Sequence, residues 1–261
     1  MVLSDPGTAT LSDTGLLHRG YVDAASLTHR LSAQSKLVAA ITFVFFVVLT
    51  PREWVAAFAG YALVLTVSLA VAKVPFRRVL VGLTIEIPFV LFAVLLPFVG
   101  PPPDGVGGLS IAGLWAAWNI LIKASLGVLT ATLLSATTLP VDLVAGLQSL
   151  RMPTSVVAIL TFFVRYVDVV ADQYTRMRVA QQVRGMRSTS PRSWPVIASG
   201  LAALFVRSYE RGERVHLALV SRGYDGKLPA PPAGRAHSWA IAAVLPVCAA
   251  VIFGIGLMTQ W

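Results

Sequence analysis

The sequence predicts an all-α integral membrane protein with about five transmembrane helices and long amphipathic helices on the cytoplasmic side. Of its 261 residues, 56% are hydrophobic and only 13% are charged, and the mean hydropathy is +0.74. Soluble domains of this length are not so apolar. Uncharged or nearly uncharged runs also approach or exceed the roughly 20 residues that cross a bilayer. These runs lie at 37–50, 54–72, 79–99, 109–136 and 236–261.

The distribution of charge predicts how the spans are oriented. The chain has a formal charge of +9, and the segment from Arg165 to Arg235 contains 12 Lys or Arg residues against five acidic residues. Because Lys and Arg collect on the cytoplasmic side of membrane proteins, we expect this segment inside the cell. A basic cytoplasmic face beside membrane lipid needs no nucleic-acid partner, and none is predicted. The expected location is the inner (plasma) membrane.

Four regions follow from hydropathy and charge. They are a cytoplasmic N-terminal segment at 1–36, a four-span membrane domain at 37–136, a cytoplasmic helical domain at 137–235 and a final transmembrane helix at 236–261. The first region has no basic start leading into an apolar core, so no removable signal is predicted and the N-terminus is expected in the cytoplasm.

The ends of the first two spans are marked by residues typical of membrane interfaces. Pro51 and Arg52 stop the first span, and Trp54 opens the second. Lys73 marks the cytoplasmic exit of the second span.

The next two spans each contain one ionisable residue. Glu86 precedes Pro88 by two positions within the run 79–99, and Lys123 lies within 109–136. An intramembrane carboxylate is a functional candidate by default, but Glu86 is equally explained as a neutral or hydrogen-bonded acid at a helix break. Pairing of Glu86 with Lys123 across the bundle is a further hypothesis.

Prolines divide the cytoplasmic region into one short helix and two long helices. A short helix is expected over 141–151, and a long one begins near Thr154, where the threonine is predicted to cap it. The long helix begins apolar, turns charged from Arg165 and ends at Arg184. A second long amphipathic helix is predicted from about 195 to 222.

Two segments late in the chain repeat one pattern with an offset of 38 residues. Both read Arg, any residue, basic, apolar, Ala, three residues, Arg, Gly, at 176–185 and 214–223. An acid stands four residues upstream of each copy. Residues four apart share a helix face, so two stripes are predicted: Asp172, Arg176, Ala180 and Arg184, and Glu210, Arg214, Ala218 and Arg222.

The last arginine of each stripe is predicted to be a docking residue. No acid precedes Arg184 or Arg222 by one turn, and the following glycines, Gly185 and Gly223, favour the left-handed conformation that ends a helix. A small Ala one turn back lets a partner approach, and the planar guanidinium suits a carboxylate pocket. Two amphipathic helices could end in Arg-Gly by chance, but the repetition favours docking.

The sequence offers little for catalysis or metal binding. It contains no His-Glu-x-x-His, Gly-x-Ser-x-Gly or Walker-type phosphate loop, so it is not expected to be an enzyme or to hydrolyse ATP through a loop of its own. No cofactor or metal site is predicted, since the histidines and the single cysteine are scattered: His18, His29, His216, His237 and Cys248. A conventional ABC permease would usually carry one Glu-Ala-Ala-type loop, and the sequence contains no such loop. A membrane scaffold without transport function remains as the alternative.

These residues resemble the transmembrane T component of energy-coupling factor transporters, most closely its cobalt-type, CbiQ-like branch. The family's Ala-Arg-Gly-like and Ser-Arg-Gly-like motifs correspond to Val183-Arg184-Gly185 and Ser221-Arg222-Gly223. Other similarities along nearly the whole chain are His29-Arg30-Leu31, Lys36-Leu37, Pro153 and Arg165. The sequence departs from the family in having Val183 for the first alanine and Ser32-Ala33 for a frequent Asp-Pro.

The resemblance implies a non-catalytic subunit of an ATP-driven importer. Two cytoplasmic ABC ATPase subunits would each receive one arginine-tipped coupling helix, with Ala180, Ala218 and Ser221 beside the two Arg-Gly pairs. A separate S component, CbiM-like in the cobalt case, would bind the solute. The cobalt-type branch suggests cobalt or nickel ion as the solute. A vitamin such as biotin, another micronutrient, or a scaffold without transport function are the alternatives.

Overall fold

The computed structural model describes residues 32–99, 110–185, 193–226 and 242–258. Within these residues the chain is helical and contains no β-strand, which confirms the all-α prediction. The helices are α1 (Ala33–Leu49), α2 (Val55–Val71), α3 (Phe76–Thr84), α4 (Ile87–Val99), α5 (Ile111–Thr137), α6 (Pro140–Ser149), α7 (Thr154–Val183), α8 (Trp194–Val220) and α9 (Val244–Met258).

The helices divide into two compact units. The membrane unit contains α1 to α5, α6 as far as Gly146, and α9. The second unit, here called the helix-pair unit, begins at Leu147 in the last turn of α6 and contains α7 and α8. The boundary near Leu147 lies ten residues beyond the predicted start of the cytoplasmic domain at 137.

The core of the membrane unit forms where α1, α2, α5 and α9 meet. Phe43, Phe58 and Tyr61 are fully buried there, and the rings of Phe43 and Tyr61 pack edge to face with centroids 5.7 Å apart. The Tyr61 hydroxyl is satisfied by a 3.0 Å hydrogen bond with the hydroxyl of Thr50. Burial of these aromatic side chains therefore leaves no unpaired phenol in the apolar core.

Several helices have the length and composition of membrane spans. Among the described residues, α5 and α7 are each long and apolar enough to cross a membrane, and so is α3 taken with α4 as one span bent by 56°. Three shorter apolar helices, α1, α2 and α9, have 15 to 17 residues. The predicted runs correspond to α1, α2, α3 with α4, α5 and α9. The helix α7, which the sequence predicts as one of the cytoplasmic helices, is thus also long and apolar enough to be a span.

The span predicted over 79–99 is bent, because the structure breaks this stretch between Thr84 and Ile87. Pro88 explains the break. Proline has no N–H to donate to the carbonyl four residues earlier, and its ring collides with that carbonyl. The residue four before Pro88 is Thr84, where α3 ends.

Small residues let α5 lie close against the bent pair of α3 and α4. A Cβ atom added to Gly113 would stand 2.6 Å from the carbonyl oxygen of Leu96, and one added to Gly82 would stand 2.7 Å from the Thr132 hydroxyl. Real Cβ atoms essentially never approach other atoms so closely. The contacts pair the start of α5 with the end of α4 and the later part of α5 with α3, so α5 runs antiparallel to the bent pair.

In the helix-pair unit, α7 and α8 run past each other in opposite directions. The end of α7 meets the start of α8, where the Gln181 side-chain amide donates to the Val196 carbonyl at 3.2 Å. A cleft of about 680 Å³ lies between the first half of α7 and the second half of α8. The predicted cap Thr154 is wrong by one position: Pro153 is the N-cap, and no side chain caps α7.

Candidate functional site

The end of α7 has the geometry predicted for an Arg-Gly terminus. Arg184 is the C-cap residue, and its N–H is directed to the carbonyl of Ala180 at 3.3 Å. Gly185 follows with φ of +84°, and its N–H donates to the Gln182 carbonyl at 2.9 Å. This φ lies in the left-handed region that glycine adopts without steric cost, so the helix stops immediately after the arginine.

The end of α8 is built in the same way and is completed by a further bond. Gly223 has φ of +82°, and its N–H donates to the Val220 carbonyl at 3.0 Å. The N–H of Tyr224 donates to the Leu219 carbonyl, also at 3.0 Å. These two bonds form a Schellman motif. The prediction that both helices end in a left-handed glycine is confirmed.

All the residues predicted to dock a partner are exposed: Ala180, Arg184, Gly185, Ala218, Ser221, Arg222 and Gly223. A Cβ atom added at either glycine would meet nothing within 4 Å, so the surface beside each arginine is open. Neither guanidinium forms an ion pair with any described residue. Both helix ends therefore present a free cation on an unobstructed surface.

The ion pairs predicted between an acid and an arginine on the two stripes differ. The Arg214 guanidinium lies 3.9 Å from the Glu210 carboxylate, and both side chains are more than half exposed. Asp172 and Arg176 form no corresponding ion pair in the described part of the chain. The predicted pairing thus holds on α8 and is wrong on α7, where both side chains are exposed and free to take other rotamers.

The two arginines lie at opposite ends of the helix pair. Because α7 and α8 are antiparallel, Arg184 is near the start of α8 and Arg222 is at its other end. The 27 residues of α8 at 1.5 Å each separate these ends by about 40 Å. The structure thus does not bring the two arginines together into one site.

Glu86 and Lys123, which the sequence suggested as a pair, take different partners in the membrane unit. Glu86 is 4% exposed and its Oε2 accepts a 2.8 Å hydrogen bond from the Ser125 hydroxyl. The Lys123 ammonium donates to the Val48 carbonyl at 2.8 Å. The predicted ion pair is therefore not formed, whereas the interpretation of Glu86 as a hydrogen-bonded acid at a helix break is confirmed.

Helix geometry explains these partners. Positions 123 and 125 of α5 point to nearly opposite sides of the helix, so Ser125 faces the bent pair while Lys123 faces α1. The Val48 carbonyl belongs to the last turn of α1, whose carbonyls lack intrahelical donors. Lys36 acts similarly at the end of α5, where its ammonium donates to the Thr137 carbonyl at 2.7 Å. Neither Ser125 nor these lysine contacts were found by sequence reasoning.

The histidines give no metal centre in the part of the chain that the structure covers. No group of three or more His, Cys, Asp or Glu residues there could hold a metal ion. His216 lines the cleft between α7 and α8. His18, His29 and His237 lie outside the described residues, as do Arg30 and Leu31 of the family-like N-terminal motif.

Comparisons with known proteins show the family to which the chain belongs. The model of the CbiQ family, described as "Cobalt transport protein", matches residues 24–231. The energy-coupling factor transporter transmembrane protein EcfT of Bacillus subtilis (strain 168) is 30% identical over 223 residues, covering 79% of this chain and 83% of that protein. EcfT of Listeria innocua serovar 6a is 28% identical over 224 residues, with coverage of 79% and 83%.

A relative from the cobalt branch shares a shorter region. The cobalt transport protein CbiQ of Rhodobacter capsulatus is 29% identical over 166 residues, which cover 64% of this chain and 67% of that protein. The family match extends over most of the chain and includes both Arg-Gly helix ends. This chain is a multi-pass membrane protein and belongs to the CbiQ family of energy-coupling factor transporter transmembrane components.

Proposed function

We propose that this chain is the T subunit of an energy-coupling factor importer, linking ATP hydrolysis by two cytoplasmic ABC ATPase subunits to solute uptake through a separate S component. The observation that carries the proposal is the pair of exposed Arg-Gly ends on α7 and α8. The family relationship supports it, since the relatives named above are transmembrane proteins of such transporters.

Each helix end is chemically suited to bind in an acidic pocket. The guanidinium offers two parallel N–H groups that match the two oxygens of a carboxylate, and it has no competing ion pair among the described residues. Ala180 or Ala218 lies one turn back on the same face, which leaves room for a partner. We expect each arginine to enter a carboxylate-lined pocket on one ATPase subunit.

The separation of the ends favours two ATPase subunits over one. A distance of about 40 Å along α8 exceeds the width of a single side-chain pocket. Two ATPase subunits that move together and apart during ATP hydrolysis would hold the helix pair at both ends. The pair would then carry their movement to the membrane and to the S component.

The solute is proposed to be cobalt or nickel ion, delivered by a CbiM-like S component. The matched family and the Rhodobacter relative are named for cobalt transport, whereas the EcfT relatives are named without a solute. Ni²⁺ is the second candidate because its ligand preferences are close to those of Co²⁺. Uptake of radiolabelled cobalt, nickel and biotin by cells containing the whole transporter separates these ions from the vitamin alternative.

The orientation proposed is a cytoplasmic N-terminus in the inner (plasma) membrane, with the helix-pair unit inside the cell. Single cysteines at Gly105 and Ser190, both outside the described residues, test it. An impermeant thiol reagent added to intact cells should label the cysteine at 105 and leave that at 190 unlabelled. The opposite pattern would place the arginine-tipped helices outside, away from any ATPase.

The main test removes both arginines. Arg184→Ala combined with Arg222→Ala should abolish solute uptake and release the ATPase subunits during purification of the membrane subunit. The matched control is Arg207→Ala, which removes an exposed arginine within α8 and should retain both solute uptake and ATPase binding. If the double variant keeps wild-type uptake and ATPase retention, the two Arg-Gly helix ends do not dock the ATPases, and the scaffold alternative is favoured.

A further inference from the structure

The break between α3 and α4 exposes backbone groups inside a membrane span. The Thr84 carbonyl lacks the helical donor that residue 88 would provide, because Pro88 has no N–H. The bent pair nonetheless has the composition of a span, with a bend of 56°. In hydrocarbon, an unpaired backbone group is costly unless protein or a ligand satisfies it. The break therefore leaves the Thr84 carbonyl without the α-helical donor it would have in a straight span.

Glu86 lies in the same break and has one oxygen without a partner. Its Oε2 accepts from the Ser125 hydroxyl, but its Oε1 is buried and has no hydrogen-bond partner. Only 4% of the residue is exposed, and no described Lys or Arg forms an ion pair with it. A buried carboxylate that stays charged is normally paired with a cation or coordinates a metal ion.

The charged groups of the packed helices do not supply that cation. On α5, the ammonium of Lys123 is bonded to the Val48 carbonyl. On α3, Arg77 and Arg78 lie in the first turn, seven and six residues before Thr84, which is somewhat less than two helical turns. The helix α4 contains no charged residue. Furthermore, the C-terminal end of α3 carries the partial negative charge of a helix dipole at the break.

We propose that the break is a binding site for one small monovalent cation, with sodium ion the best match, held by Glu86 Oε1 and the Thr84 carbonyl. One cation beside one carboxylate is a neutral pair, whereas a divalent ion would leave a net charge in the low-dielectric span. Discontinuous membrane helices use freed carbonyls in this way to coordinate sodium. The site lies in the membrane unit and is independent of the docking arginines.

The test is sodium binding by the full-length protein in lipid nanodiscs. Equilibrium binding of radioactive sodium should saturate near one ion per chain, and sodium should raise the midpoint of thermal unfolding relative to N-methylglucamine at equal ionic strength. In Glu86→Gln, sodium affinity should fall at least about tenfold because the charge of the main ligand is lost. Glu53→Gln, which removes an exposed carboxylate paired with Arg52, is the matched control and should bind like wild type.

Three results would overturn the proposal. One is that the wild-type protein binds no sodium and is equally stable in sodium and in N-methylglucamine. This result would also overturn the proposal if the stability of the protein changed with pH alone. Another is unchanged sodium binding in Glu86→Gln. The third is equal loss of binding in Glu53→Gln. If Glu86→Gln does not fold, Ser125→Ala serves instead: it removes only the hydroxyl that orients Glu86 and should weaken sodium binding while leaving the fold intact.

Discussion

The ends of α7 and α8 share an arginine, a left-handed glycine and an alanine one turn back, but their immediate neighbours differ. On α7 the residue before the arginine is Val183, whose side chain is 84% exposed. On α8 it is Ser221, whose hydroxyl donates back to the Ala218 carbonyl at 3.0 Å. One end therefore offers an apolar surface beside its arginine and the other a polar one.

Support from the rest of each helix also differs. The α8 end has the Tyr224 to Leu219 bond of the Schellman motif, and the Glu210 to Arg214 ion pair lies about two to three turns before Arg222. Asp172 and Arg176 form no such pair on α7 among the described residues. The two ends share the arginine and the left-handed glycine that ends the helix after it. We infer that these two features determine docking and that the neighbouring residues modulate its strength.

The largest expected effect comes from removing one arginine at a time. If the arginines carry docking, Arg184→Ala and Arg222→Ala should each weaken ATPase binding by about 2–5 kcal/mol, the usual cost of unpairing a desolvated charge. ATPase binding to purified variants in nanodiscs measures this, with Arg207→Ala as the control. A loss at one end only would break the equivalence of the two ends.

A smaller loss of ATPase affinity is expected when lysine replaces arginine, because lysine keeps the charge but lacks the planar guanidinium. Lys at position 184 or 222 retains a cation but cannot make the bidentate contact. We expect an intermediate affinity, weaker than wild type by about 1.5–3 kcal/mol, the range for one hydrogen bond to a charged group. Full recovery by Lys would show that charge alone suffices, and the same binding assay decides it.

Substitution of the glycines tests whether the left-handed helix end contributes to ATPase binding independently of the arginine charge. Gly185→Ala and Gly223→Ala force an alanine into the left-handed region, at a cost of about 1–2 kcal/mol. Thermal unfolding and ATPase binding should both decline. Gly212→Ala is the matched control: this glycine lies inside α8, and its added Cβ meets nothing within 4 Å, so alanine should stabilise the helix by about 0.5–1 kcal/mol. Equal behaviour of Gly212→Ala and Gly223→Ala would contradict the role given to the left-handed turn.

These helix ends could be predicted from sequence because their causes are local. An Arg-Gly pair after an amphipathic run specifies a left-handed stop within a few residues, whichever neighbours pack nearby. The break near Glu86 also has a local cause in Pro88, so the sequence offered it as one interpretation, although the apolar run around it has the hydropathy of one straight span. Hydropathy measures composition and is insensitive to a missing backbone donor.

The partners of Glu86 and Lys123 could not be predicted in this way. Each depends on which helix packs against which face of α5, and no local pattern in the sequence states that arrangement. Opposite charges on neighbouring spans suggested an ion pair, but Lys123 bonds the open end of α1 and Ser125 turns toward Glu86. In a bundle held mainly by apolar packing, the rotation of each helix decides such contacts.

The smallest effect is expected from the acid pair that distinguishes the two stripes. Glu210→Gln removes the ion pair with Arg214, whose partners are both more than half exposed, so α8 should lose only about 0.3–0.5 kcal/mol. Asp172→Asn on α7 removes no pair seen among the described residues and should change thermal stability less. Both variants should keep ATPase binding, because Arg184 and Arg222 remain. If Glu210→Gln instead released the ATPase as strongly as Arg222→Ala, the acid itself would be part of the contact, and docking would involve a longer face of α8 than the arginine at its end.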